Sequence, residues 1–217
     1  MHIASEPMMR ESKSKLLLPS LGAATLLLSL SSPSDASVSI AMTIEDLAKG
    51  SSVVVRATPL DQTSAWENGR IVTSTRMHVE RVIAGAPPSS SEVHVQTLGG
   101  IVGDIGQIVD GEASFMSKPS NNVQQQSIIF LMPRTDGNKT HFVVNGRAQG
   151  QLVVLKDVKT NRDIVRLART GALVPRVRTA DQGQAAKPAM MGQFDGHDAD
   201  EVSNEAARAW ERTHHAR

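Results

Sequence analysis

Cysteine and tyrosine are absent from this 217-residue chain, and only two tryptophans and four phenylalanines supply aromatic side chains. The first absence excludes disulfides, thiolate nucleophiles, cysteine-based zinc or iron–sulfur sites and a lipid anchor attached through cysteine. The second leaves aliphatic side chains as the main core material. Net charge is close to nil, +1 from 23 basic and 22 acidic residues, so no global field draws the chain to nucleic acid or to anionic lipid. Long apolar runs are also missing. Leu16 to Leu30 is almost uninterrupted, yet it falls short of the ~20 residues that span a bilayer.

That run has a different reading. Arg10, Lys13 and Lys15 precede it, and Ser31 to Ser37 follows with small Ser34 and Ala36 two apart. A positive end, an apolar stretch and a small-residue cut site form a secretory signal peptide. Residues 1–36 are therefore expected to be removed after Ala36, leaving a secreted or periplasmic chain with no stable membrane anchor.

Beyond the cut, Thr43 to Gly50 reads as a short helix, with a hydroxyl N-cap, acids in the first turn and glycine at the end. Val53 to Thr58 is β-branched enough for a strand that Pro59 bends or places at an edge. Trp66-Glu67-Asn68-Gly69-Arg70-Ile71 predicts a hairpin, because Asn-Gly accepts the positive φ angles of a type I′ turn. It sets Glu67 against Arg70 and Trp66 against Ile71. The returning strand alternates, Ile71, Thr73, Thr75, Met77, Val79 and Arg81 on one face and Val72, Ser74, Arg76, His78, Glu80 and Val82 on the other. Val93 to Thr97 continues the pattern, and Gly99 to Gly111 reads as a curved, bulged segment. Ser127 to Met132 is apolar on both faces, as in a central strand or one enclosed by a barrel. His141 to Val144 and Gln151 to Leu155 add further strands. Helices are expected over Asn161 to Thr170 and Asp200 to Thr213, with disorder from Ala180 to His197. Basic residues dominate from Lys159 to Arg178 and acidic ones from Asp181 to Glu205, which allows the tail to neutralise itself.

Chemistry-bearing motifs are few. Gly100, Gly103 and Gly106 are spaced by three, which matches neither nucleotide-loop pattern, so a sheet bend is the simpler account. His78, Glu80 and His94 sit at outward positions on neighbouring strands, where imidazoles and a carboxylate would suit a metal; nothing fixes them at ligand distance, so an ordinary solvated strand face is the preferred account and no metal site is assigned. No serine elbow and no His-Glu-x-x-His helix occurs. No cofactor and no catalytic residue is assigned.

The segments Val53 to Arg56, Trp66 to Thr73, Val79 to Gly85, Gly99 to Gln107, Phe130 to Pro133 and Ala148 to Gly150 resemble a group of uncharacterised secreted bacterial proteins over residues 43 to 155. The order of elements also resembles an OB-type barrel of the netrin-module kind, found in extracellular binding domains and in metalloproteinase inhibitors. Those inhibitors chelate zinc through an N-terminal cysteine, which this chain lacks.

The expectation is a mainly β chain. A small antiparallel OB-like or netrin-like barrel of six or seven strands occupies residues 37–158 with one short N-terminal helix, and residues 159–217 form a polar, partly disordered and partly helical tail. The expected function is non-enzymatic binding of a protein, peptide or glycan, not nucleic acid. The expected surface comprises Trp66 and Arg70 on the hairpin and Gly99, Gly100, Gly103, Asp104 and Gly106 on the glycine segment. The alternatives are a small metal-dependent hydrolase, a protease-inhibitor-like protein and a structural envelope protein.

Overall fold

Alternating side chains along residues 53–156 build a mainly β structure, seen in a computed structural model that describes residues 39–86, 88–115, 125–137, 139–167, 173–174 and 193–215. All of them belong to the unit Ala36–Arg217. The expected signal peptide, its cut after Ala36 and most of the expected disorder after Ala180 lie outside the described residues.

A two-residue strand, β1 (Ser39–Ile40), leads into α1 (Ile44–Gly50). Thr43 caps α1 as its hydroxyl pattern predicts. Its Oγ1 accepts from the Asp46 N–H at 3.1 Å and the Asp46 carboxylate accepts from the Thr43 N–H at 3.1 Å, closing a reciprocal capping box. Gly50 serves close packing rather than a left-handed cap, since a Cβ there would sit 2.6 Å from Asn145 Nδ2. Buried Asn145 uses that space to donate to the Leu47 carbonyl at 2.7 Å, closing the helix end from across the fold.

The long strands β2 (Val53–Glu67) and β3 (Arg70–Gly85) form the expected hairpin, followed by β4 (Glu92–Leu98) and the small hairpin β5 (Gly100–Val102) with β6 (Ile105–Gln107). Then come β7 (Ser127–Asp136), β8 (Lys139–Val144), a 3₁₀ turn at Arg147–Gly150, β9 (Gln151–Lys156), β10 (Asp163–Leu167), β11 (Leu173–Val174) and α2 (Ala199–His214). The main sheet has seven strands in the order β10-β9-β7-β2-β3-β4-β8, and β8 is also bonded to β7. The β4–β8 pairing is parallel; β7–β8 is antiparallel. β11 pairs with β1 in parallel.

Both faces of this sheet are buried along β2 and β7. On one face Val53, Val55, Met77, Val95, Ile129 and Leu131 enclose a core that Ala113 and Phe115 help to fill. On the other, Val54, Ile128, Phe130 and Leu152 pack against α1 and α2. The uniformly apolar run Ser127 to Met132 has this cause: its two faces meet two cores. β2 leaves β7 after Ala57, and the pairing with β3 shifts register around Val54, Arg56 and Pro59. These bulges correct the expected alternation of β3. Arg81 turns out to solvent, while Val82 packs on the first core beside Val79.

The region beyond Lys159 differs from its sequence reading in two places. Asn161 to Thr170, expected as a helix, contains strand β10, because Ile164, Val165 and Leu167 find an edge on β9. The segment around 196–198 covers the far edge of β10, Val165 N–H donating to the His197 carbonyl and Gly196 N–H to the Val165 carbonyl, both at 2.8 Å. Val165, Phe194, Val202, Ala206 and Ala209 are buried in the same core as Val54 and Phe130. The charge reversal noted in the sequence becomes contacts here: Arg166 meets Asp195 at 2.9 Å and Arg162 meets Asp198 at 3.7 Å. Arg56 meets Asp163 at 2.6 Å, and its hydrogen bond holds the Asp163 carboxyl below the usual carboxylate range. Among the described residues no helix is long and apolar enough to cross a membrane.

Candidate functional site

The hairpin tip forms as its residues require. Asn68 (φ 50°) and Gly69 (φ 77°) take the positive φ angles of the turn, and the register sets Trp66 opposite Ile71 and Glu67 opposite Arg70. Ile71 is fully buried, while Trp66 across the ladder from it is 50% exposed.

The glycine segment is fastened to this hairpin. Gly99 N–H donates to the Ile71 carbonyl at 2.7 Å, Thr73 Oγ1 donates to the Gly99 carbonyl at 2.6 Å, and Gln107 Oε1 accepts from the Ile71 N–H at 2.7 Å. A Cβ on Gly100 (φ 136°) would overlap Thr73 Oγ1 and Ser64 Oγ, which explains glycine at that position. Gly103 and Asp104 make the two-residue turn between β5 and β6, and Ile101, Ile105 and Ile108 of this segment are exposed.

Two cavities open at this end of the sheet. The first, about 440 Å³, lies over a band of half-buried aliphatic side chains: Val72 on β3, Leu98 on β4, Val143 on β8 and Met132 on β7. Strand pairing makes the band continuous, because Val72 is opposite Leu98, Val143 is opposite Met132, and Gln96 beside Leu98 is opposite Val143. Arg70, Arg134 and Glu67 stand exposed around it. The second cavity, about 460 Å³, is lined by Gly99, Gly100, Gly106, Ile101, Val109 and Phe115 among others, and the two share Thr97, Leu98 and Glu112.

Glu112 stands in the wall common to both. Burial pushes its carboxyl above the ordinary range, opposed by Arg147, whose guanidinium approaches to 3.5 Å, and by the N–H groups of Ala113 and Leu98. Arg147 reaches it from a left-handed backbone (φ 55°), uncommon for a residue with a side chain. Across the first cavity, buried His141 places Nε2 3.6 Å from the Asp136 carboxylate.

Of the residues singled out from sequence, Arg70 lines the first cavity and Gly99, Gly100 and Gly106 line the second. Trp66, Gly103 and Asp104 line neither. Val72, Leu98, Met132, Arg134, His141 and Val143 were not singled out. Val72 and Leu98 carried a readable signal, since each puts an aliphatic side chain on the outward face that otherwise holds Ser74, Arg76, His78 and His94. The Glu112–Arg147 pair carried none, because its partners are far apart in the chain.

The outward histidines sit at the other end of that face. His78 Nε2 is 4.0 Å from the Glu80 carboxylate, which also accepts from Thr58 Oγ1 at 2.8 Å. His94 is opposite Arg76, which donates to Asp61 at 2.9 Å and to Glu92 at 3.1 Å. The Arg76 hydrogen bond keeps the Asp61 carboxyl below its ordinary range. A guanidinium thus already neutralises the carboxylates beside His94, and no group of three metal-ligating side chains occurs among the described residues.

No family model, no curated protein and no solved structure matches this chain.

Proposed function

We propose that this chain is an exported, non-enzymatic binding domain that holds a segment of a partner protein in the cavity over Val72, Leu98, Val143 and Met132. The observation that carries the reading is the aliphatic band itself. Elsewhere on this same outer face, Val54, Ile128 and Phe130 are covered by α1 and α2. The band has no such cover among the described residues, and its cavity is of the size that ligand sites have. A peptide is favoured over a glycan because no phenylalanine, tyrosine or tryptophan lines this cavity to stack on a sugar ring.

Two further parts of the reading rest on different support. β2, β3, β4, β8 and β7 form a small OB-like barrel in this account, supported by the double pairing of β8, which leads from β4 back to β7. Export is supported by the signal-peptide pattern of residues 1–36.

The experiment is capture of partners from an envelope extract by wild type, by a Val72→Ser/Val143→Ser variant and by a His94→Ser control. The band variant is expected to lose at least tenfold of a specifically captured protein, with its circular dichroism spectrum unchanged, while the control keeps it. A captured set that is the same for all three proteins contradicts the site.

A further inference from the structure

The triplet Asn-Gly-Arg occurs twice, as Asn68-Gly69-Arg70 and as Asn145-Gly146-Arg147, and the fold places the two copies in opposite surroundings. We propose that Asn68 is a site of spontaneous covalent modification, converting to aspartate and isoaspartate through a succinimide ring, and that burial shields Asn145 from the same reaction. The chemistry is internal to the Asn-Gly pair. The backbone nitrogen of the glycine gives its proton to a base from solvent and attacks the side-chain carbonyl carbon Cγ of the asparagine. A bond forms between that nitrogen and Cγ, the bond from Cγ to Nδ2 breaks, and Nδ2 takes up a proton and leaves as ammonia. Water then opens the ring. Opening at Cγ gives aspartate, and opening at the backbone carbonyl gives isoaspartate, whose main chain runs through Cγ. Glycine suits the attacking position because it has no side chain to crowd the nitrogen or to restrict the backbone.

At the hairpin tip each requirement is met. Asn68 and Gly69 are exposed, and neither belongs to a core. A Cβ on Gly69 would meet no atom within 4 Å, and neither the Asn68 side chain nor the Gly69 N–H makes a hydrogen bond among the described residues. Ring closure turns the Asn68 backbone out of its left-handed conformation (φ 50°), so the rate follows how readily the tip opens. Exposed tips open at low free-energy cost. Asn145 is 9% exposed, and its Nδ2, the atom that must leave, donates to the Leu47 carbonyl at 2.7 Å and to Ser51 Oγ at 3.3 Å. Its N–H donates to the Phe130 carbonyl at 2.8 Å, and a Cβ on Gly146 would lie 2.5 Å from Leu47 Cδ2. Cyclisation there requires the end of α1 to come away from the sheet.

The products act on the first cavity, whose lining includes Glu67 and Arg70 on either side of the turn. Both add a carboxylate beside Glu67. Isoaspartate also lengthens the main chain of the tip, which a two-residue type I′ turn does not accommodate, so the facing of Glu67 and Arg70 is disturbed. The modification stands whether or not the cavity binds a partner.

The test incubates the purified full chain in mildly alkaline buffer, native and in urea, and maps its peptides by mass spectrometry with fragmentation that separates isoaspartate from aspartate. In the native chain Asn68 is expected to convert at least tenfold faster than Asn145, giving both products. In urea the two rates are expected to converge, because the shared triplet leaves only its intrinsic chemistry. An Asn68→Gln variant is expected to keep the native spectrum and to lose the fast conversion, since its longer side chain closes a larger ring. The proposal is overturned by native Asn145 converting as fast as Asn68, by no conversion of Asn68 in the native chain, or by rates in urea that already differ tenfold, which would assign the difference to sequence and not to the fold.

Discussion

Replacing Phe130 with alanine is expected to lower the unfolding free energy by about 3–5 kcal/mol, read from urea denaturation. Phe130 is fully buried on β7, in the core that joins the sheet to α1 and α2. Leu47 and Ala48 on α1, Val54 on β2 and Leu152 on β9 share that core from three other elements, which limits how far the space left by the ring can collapse. Ile129, next in the chain and equally buried, points into the other core beside Val55 and Leu131. Ile129→Val is expected to cost about 0.5–1.5 kcal/mol, the usual figure for one methylene in a packed interior. Sensitivity at both adjacent positions is the signature of a strand with two dry faces. A half-solvated strand would respond at one position and ignore the other.

Truncation before residue 193 is expected to remove most of the stability of the domain. Phe194 and Val202 are 6% and 1% exposed, and Ala199, Ala206 and Ala209 are fully buried beside them. Burying one large apolar side chain is worth about 1.5–3 kcal/mol. The loss of Phe194 and Val202 alone therefore approaches the 5–15 kcal/mol that typically holds a domain together. The same cut uncovers Ile44, Leu47, Val165 and Phe130. Of the ion pairs lost with it, Arg166–Asp195 and Arg81–Asp200 are solvent-exposed and contribute little beside this. The truncated chain is expected to bind a hydrophobic dye and to unfold without a cooperative transition. A midpoint unchanged from the full chain would mean that α2 is a dispensable appendage, as the composition of residues 159–217 suggests.

The sequence carried the strands well because each rests on a local signal. Asn68-Gly69 set the β2–β3 register through turn geometry alone, and Thr43 with Asp46 fixed the start of α1 through a cap that spans three residues. What was misread depends on partners distant in the chain. β10 has apolar residues at 164, 165 and 167, a spacing that suits a short helix as well as a strand, and the free edge of β9 decided between them. Arg81 turned outward because bulges opposite Val55 and Ala57 broke the two-residue period. α2 was legible as a helix from its periodicity, yet its docking required a sheet face that only the folded chain presents. The binding surface was half legible. Arg70 was found through its turn, while Arg134 and Met132 joined it only through the pairing of β7 with β8.

One measurement bears most directly on the uncovered aliphatic face as the place of binding. A photo-crosslinking amino acid placed at position 72, 143, 74 or 94, in the cell that makes the protein, reports which part of the outer face touches a partner. Covalent adducts are expected from positions 72 and 143, on the band, and not from 74 and 94, on its polar continuation. Adducts confined to 74 and 94, or none from any of the four, would contradict the account.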